Sequence, residues 1–83
     1  KKKTEDKLNT ELLYSISEIW KEILKIEEIK KEDNFFKLGG NSLNMIQLSN
    51  TLMERYGFHL ELGEFMETPY IENLVIKLMD FLK

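Results

Sequence analysis

Asp33-Asn34-Phe35-Phe36-Lys37-Leu38-Gly39-Gly40-Asn41-Ser42-Leu43 is the stretch on which the reading of this chain turns. Asp33-Asn34 is turn chemistry, and Gly39-Gly40 breaks any regular element that runs into it. Beyond the break, apolar residues recur at helical spacing, with Met45, Leu48, Leu52 and Tyr56 on one side. The spacing predicts a helix from Ser42 to about Tyr56, stopped at Gly57, where a left-handed residue is expected. Leu43, Ile46 and Met53 fall nearly opposite that stripe when the helix is wound at about 100° per residue. The helix should therefore carry a second, exposed apolar strip that begins one residue after Ser42, and such strips mark partner contacts.

Upstream, Leu8, Leu12, Leu13, Ile16, Ile19, Trp20, Ile23 and Leu24 lie on one arc and predict a long amphipathic helix from Leu8 to Leu24. Its other face carries Glu11, Tyr14, Glu18, Lys21, Glu22 and Lys25. Lys25 to Gly40 reads as a long loop, with Phe35 and Phe36 as its anchors; a loop of that length is either functional or ordered by its own side chains. Downstream, Phe58 to Leu60 is an extended connector, and Glu61 to Glu67 has room only for a short helix or turn. Thr68-Pro69 then predicts a helix start, with Thr as N-cap and Pro at the first position, where its missing N–H costs nothing. Ile71, Leu74, Val75, Leu78, Met79, Phe81 and Leu82 share the inner arc of that last helix. The fold class is all-α: a small four-helix bundle of three main helices plus one short one.

A chain of 83 residues supports one hydrophobic core. We read residues 8–83 as that domain and 1–7 as a flexible N-terminal segment or linker. Apolar residues make up 42% and charged ones 33% of the chain, the balance of a globular domain, and the absence of Cys excludes disulfides and thiolate chemistry. The formal net charge of −3, with Lys21, Lys25, Lys30 and Lys31 interleaved among Glu22, Glu27, Glu28 and Glu32, argues against nucleic acid as a partner. No apolar run is long enough for a membrane span. The chain opens on Lys1 rather than Met and shows no signal peptide, so it reads as a segment of a longer chain or a processed product, with the cytoplasm as its expected location.

Catalytic constellations are scarce. The single histidine, His59, reads as a connector residue, and no zinc spacing or Ser-His-Asp set can be assembled around it. The acidic residues show no spacing that singles out a general acid and base. Asp33 to Asn44 lacks the alternating oxygen ligands and final Glu of a calcium loop, so no metal site is expected. Ser42 has two readings. It can be the N-cap of its helix, with its hydroxyl accepting an N–H from Asn44 or Met45. It can also be a modification site: a hydroxyl at a helix start is exposed, the glycines before it leave room for an approaching enzyme, and an attached anion would sit beside free N–H groups and the positive end of the helix dipole.

The Asp33–Leu43 stretch closely resembles the core motif of peptidyl carrier (thiolation) domains of nonribosomal peptide synthetases, members of the phosphopantetheine-binding carrier superfamily. The resemblance extends through Ile19-Trp20 and Ile23-Leu24 to Phe65 and Thr68-Pro69, and so covers nearly the whole chain from about Leu12. It implies a bundle of acyl-carrier type and a non-catalytic role. In that role Ser42 would receive 4′-phosphopantetheine from coenzyme A through a magnesium-dependent phosphopantetheinyl transferase. The arm would then hold aminoacyl, peptidyl or acyl groups as thioesters for partner enzymes of nonribosomal peptide or hybrid peptide/polyketide biosynthesis, antibiotic biosynthesis included. Leu43, Ile46, Met53, Phe65 and Met66 become the candidate partner-recognition residues, and Leu38 joins Phe35 and Phe36 as a loop anchor. The implied partners are the transferase and adenylation, condensation, ketosynthase or thioesterase-type domains, with the isolated domain monomeric. Asn41 departs from the His or Asp familiar in the family before the serine, which leaves the neighbouring domain type open. The double glycine favours the peptidyl branch. Two alternatives stand beside it: an acyl carrier protein of polyketide, fatty-acid or cell-wall chemistry, and a helical interaction module without a prosthetic group.

Overall fold

Apolar periodicity marks where a helix packs, and absence of breakers decides how far it runs. Both act in the first element of the computed structural model, which describes residues 2–83, with side chains from residue 6 onward: α1 spans Lys2–Leu24. The expected start at Leu8 is thus too late. Residues 2–7 contain neither Gly nor Pro, and Lys and Glu are good helix formers, so the helix continues past its apolar arc. The expectation of a flexible 1–7 segment falls partly on Lys1 and on side chains outside the described residues. α2 spans Ser42–Tyr56, α3 Leu62–Glu67 and α4 Ile71–Leu82. The architecture is the all-α four-helix arrangement, in which α1 packs against both α4 and α2.

One core forms where the inner faces meet. α1 contributes Leu12, Ile16, Ile19 and Trp20; α2 contributes Met45, Leu48 and Leu52; α4 contributes Ile71, Leu74, Val75 and Leu78. Burying each such side chain contributes about 1.5–3 kcal/mol. Phe81 and Leu82, expected on the inner arc of the last helix, lie at its exposed end. Tyr56 is half-buried, with its hydroxyl 2.7 Å from Ser15 Oγ, a polar clasp between the end of α2 and the middle of α1.

The 25–41 loop is ordered by its own side chains. Lys25 ends α1 in the left-handed conformation, with φ 60°, and the Ile26 N–H reaches back to the Lys21 carbonyl at 3.2 Å. Asn34 Oδ1 accepts from the N–H groups of Phe36 (2.8 Å) and Lys37 (3.2 Å), which builds the turn expected at Asp33-Asn34. Phe35 is fully buried, its ring centroid 4.9 Å from that of Trp20 and 5.3 Å from that of Phe65. These edge-on aromatic contacts tie α1, the loop and α3 together.

Thr68-Pro69 does not start α4. Thr68 closes α3, its N–H and hydroxyl both donating to the Glu64 carbonyl. The Pro69 carbonyl accepts from the Phe35 N–H at 2.8 Å, and Tyr70 forms an isolated antiparallel bridge with Asn34. The Tyr70 N–H closes a tight turn onto the Thr68 carbonyl at 2.9 Å, and α4 begins at Ile71 with Tyr70 as an N-cap that makes no side-chain cap bond. A local start signal has been overridden by a tertiary hydrogen bond.

Candidate functional site

The path into Ser42 is fixed by the two glycines, each for its own reason. Gly39 has φ +106°, a conformation that L side chains rarely adopt. A Cβ on Gly40 would lie 2.5 Å from the Phe35 ring, so only glycine lets the backbone pass over the buried phenylalanine. The Gly40 N–H also donates to the Phe35 carbonyl at 3.0 Å. The buried ring therefore holds the exit of the loop, and with it the start of α2.

The N-cap of α2 is Asn41, not Ser42. Asn41 is extended (φ −133°, ψ −174°) and its Oδ1 accepts from the Asn44 N–H at 2.8 Å, while Asn44 Oδ1 accepts from the Asn41 N–H at 3.1 Å. This reciprocal capping box leaves the Ser42 hydroxyl out of the cap. Ser42 is exposed on the first turn of the helix. That turn carries no acidic side chain, so nothing competes there with an attached anion for the helix N–H groups. A signal for the box was present in the sequence: Asn41 and Asn44 sit three apart, as the partners of a capping box must.

The exposed strip lies beside Ser42 on the same helix. Leu43 is 64% exposed, Ile46 48% and Met53 46%, while Met45, Leu48 and Leu52 are buried in the core. From Leu38 to Met53 there is no charged residue, in a chain that is 33% charged. The site thus offers a hydroxyl and an uncharged, partly apolar surface. Of the two candidates on the short helix, Met66 is exposed, but Phe65 is 3% exposed and belongs to the core. Its expected place on a partner surface is a correction: the ring is needed to fill the space between Trp20, Phe35 and Phe36.

His59 is exposed on the connector, at the edge of a cavity of about 310 Å³ that also borders Glu61, Phe65, Lys77 and Asp80. The Lys77 ammonium pairs with the Glu64 carboxylate across this opening at 2.6 Å. No nucleophile and base come together there. Among the described residues no helix is long and apolar enough to cross a membrane.

The family described as "Phosphopantetheine attachment site" matches residues 15–78, a span that holds the loop, α2 and α3 entire. Tyrocidine synthase 2 of Brevibacillus parabrevis is 36% identical over 70 residues, covering 84% of this chain and 2% of that protein. A chain in the solved complex of the phosphopantetheine transferase Sfp with coenzyme A and a peptidyl carrier protein aligns with a TM-score of 0.79 and 27% identity, covering 81% of this chain and 87% of that one. BlmI, a type-II acyl-carrier protein from Streptomyces verticillus involved in bleomycin biosynthesis, shares the fold over the full length of both chains, with a TM-score of 0.91 at 24% identity. The chain spans only 1–2% of the length of large synthetases such as these curated relatives.

Proposed function

This chain belongs to the phosphopantetheine attachment-site family, and from that premise we propose that Ser42 is the residue to which the group is joined. The chain is a non-catalytic carrier domain with 4′-phosphopantetheine, drawn from coenzyme A, as its cofactor. When bound, that group supplies a terminal thiol that holds acyl cargo as a thioester. Everything else falls to the protein: to present one hydroxyl to a transferase, to hold the phosphodiester, and to offer partners a surface.

The observation that carries the assignment is the division of labour between Asn41 and Ser42. Because Asn41 caps the helix, the Ser42 hydroxyl can be esterified without cost to the fold. The phosphodiester then lies beside the N-terminus of α2, where the dipole favours an anion by about 0.3–1 kcal/mol. Gly39 and Gly40 keep the approach to the hydroxyl free of side chains.

The partners follow from the same surface and from the relatives. A phosphopantetheinyl transferase meets Ser42 together with Leu43, Ile46 and Met53, and Met66 of α3 extends the contact. The likeness to tyrocidine synthase 2 supports a place in nonribosomal peptide assembly, with adenylation and condensation domains as the next partners. The carrier domain itself is the 8–83 unit, monomeric when isolated and working in the cytoplasm.

Intact-protein mass spectrometry tests the central assignment. After incubation with coenzyme A, magnesium and a broad-specificity transferase, one phosphopantetheine is expected on the wild-type chain, mapped to the Ser42 peptide, and none on Ser42→Ala. No addition to a folded wild-type chain across several transferases would overturn the assignment.

A further inference from the structure

Beside Ser42, the last turn of α1 and one face of α2 enclose an open groove that the partner strip does not use. Leu43, Asn44, Gln47, Asn50 and Thr51 line it along α2, and Glu22, Ile23, Leu24 and Lys25 face them from the end of α1. At about 100° per residue these α2 positions form one sector between the core stripe and the strip of Ile46 and Met53, sharing only Leu43 with the latter. The sector starts one residue after Ser42 and runs to Thr51, roughly 12 Å along the axis at about 1.5 Å per residue.

The chemistry of the lining is unlike that of a plain apolar cleft. Asn44 is occupied on both sides of its amide, through the capping box and a 3.1 Å bond from its Nδ2 to Gln47 Oε1. Thr51 Oγ1 donates to the Gln47 carbonyl. That leaves the Gln47 NH2 group and the Asn50 carboxamide facing a groove whose other wall carries Ile23 and Leu24. Lys25 is the cation of the lining and Glu22 its carboxylate; Lys25 is held in the left-handed conformation (φ 60°) that terminates α1.

We infer that this groove is the resting place of the phosphopantetheine arm, a reading that rests on Ser42 carrying it. The arm is a phosphodiester followed by an aliphatic segment, a hydroxyl and two amides. That composition matches a groove lined by Lys25, by the apolar Ile23 and Leu24, and by the side-chain amides of Gln47 and Asn50 further along α2 from Ser42, with Glu22 as its one carboxylate. Tethering makes the contact intramolecular, and a short flexible tether gives an effective concentration in the mM range, so weak, solvent-exposed contacts suffice to populate it. The occupied groove covers Leu43, so the arm must leave before a partner grips the whole strip.

The test compares backbone amide spectra of 15N-labelled protein before and after loading, with mass spectrometry confirming the arm on Ser42 in every sample. Shift changes are expected at Ile23–Lys25 and Gln47–Thr51 as well as around Ser42. In Gln47→Ala/Asn50→Ala, loaded to the same extent, the changes at the unmutated Ile23–Lys25 should disappear. Changes confined to the residues around Ser42, or centred instead on Leu60, Glu64 and Lys77 at the other cavity, would overturn the inference. Failure of the arm to attach would instead overturn the assignment of Ser42, and the mass spectra separate the two outcomes.

Discussion

Adjacent polar residues at the head of α2 have separate jobs, and single substitutions should pull them apart. Asn41→Ala removes the side chain that accepts the Asn44 N–H and opens the capping box, with an expected loss of about 1 kcal/mol. Ser42→Ala removes an exposed hydroxyl that makes no cap, so its melting temperature should stay near that of the wild type while phosphopantetheine attachment is abolished. Thermal denaturation of both variants, alongside the transferase assay, checks this; a marked destabilisation by Ser42→Ala would place the serine back in the cap. Sequence could not choose between the two because Asn and Ser are about equally good N-caps and stand next to each other. The choice is made by a third residue: Gly40 is pressed against the Phe35 ring, and that contact sets where the backbone turns into the helix. The candidate modification site was legible as a motif, but its freedom from structural duty was not.

At the scale of elements, α2 is a helix with two apolar faces, and only one of them holds the fold. Ile46→Glu places a charge on a side chain that is 48% exposed, so stability should hardly change while transfer from coenzyme A and reactions with later partners slow. Leu48→Ala empties a fully buried position and should cost about 2–5 kcal/mol. Urea titration of the two variants, with initial rates of loading for the first, reads both effects; a large drop in stability from Ile46→Glu would mean that the strip packs inward. Both ends of α2 are readable in the sequence, because a double glycine precedes it and Gly57, at φ 67°, stops it in the left-handed conformation. The short elements are harder to read. A six-residue helix is too brief for periodicity to assign its faces, which is why Phe65 reads as no less available than Met66. Thr68-Pro69 has good local start chemistry, yet the Pro69 carbonyl is committed to Phe35 and the next residue, Tyr70, bridges to Asn34, partners more than thirty residues away.

Across the whole molecule those distant commitments converge on one aromatic cluster. Trp20 brings α1, Phe35 the loop and Phe65 the short helix, and all three rings are buried with edge-on contacts between them. The loop is further fastened to the α3–α4 junction by the Phe35 N–H to Pro69 carbonyl bond and by the Glu72 N–H to Lys31 carbonyl bond. A domain of this size has only about 5–15 kcal/mol of net stability. Phe65→Ala, at an expected cost of about 3–5 kcal/mol, would remove much of it and loosen the loop that delivers Ser42. Trp20, the only tryptophan, reports on this cluster directly. If loop, helices and core form one cooperative unit, the fluorescence of Trp20 and far-UV circular dichroism should give coincident unfolding curves in the wild type, as two-state behaviour requires. In Phe65→Ala both should shift together to lower temperature, with the loading rate at Ser42 falling in proportion to the unfolded fraction. A fluorescence transition that precedes the loss of helicity would show instead that the loop undocks on its own, and the geometry around Ser42 would then be set by a local equilibrium rather than by the stability of the bundle.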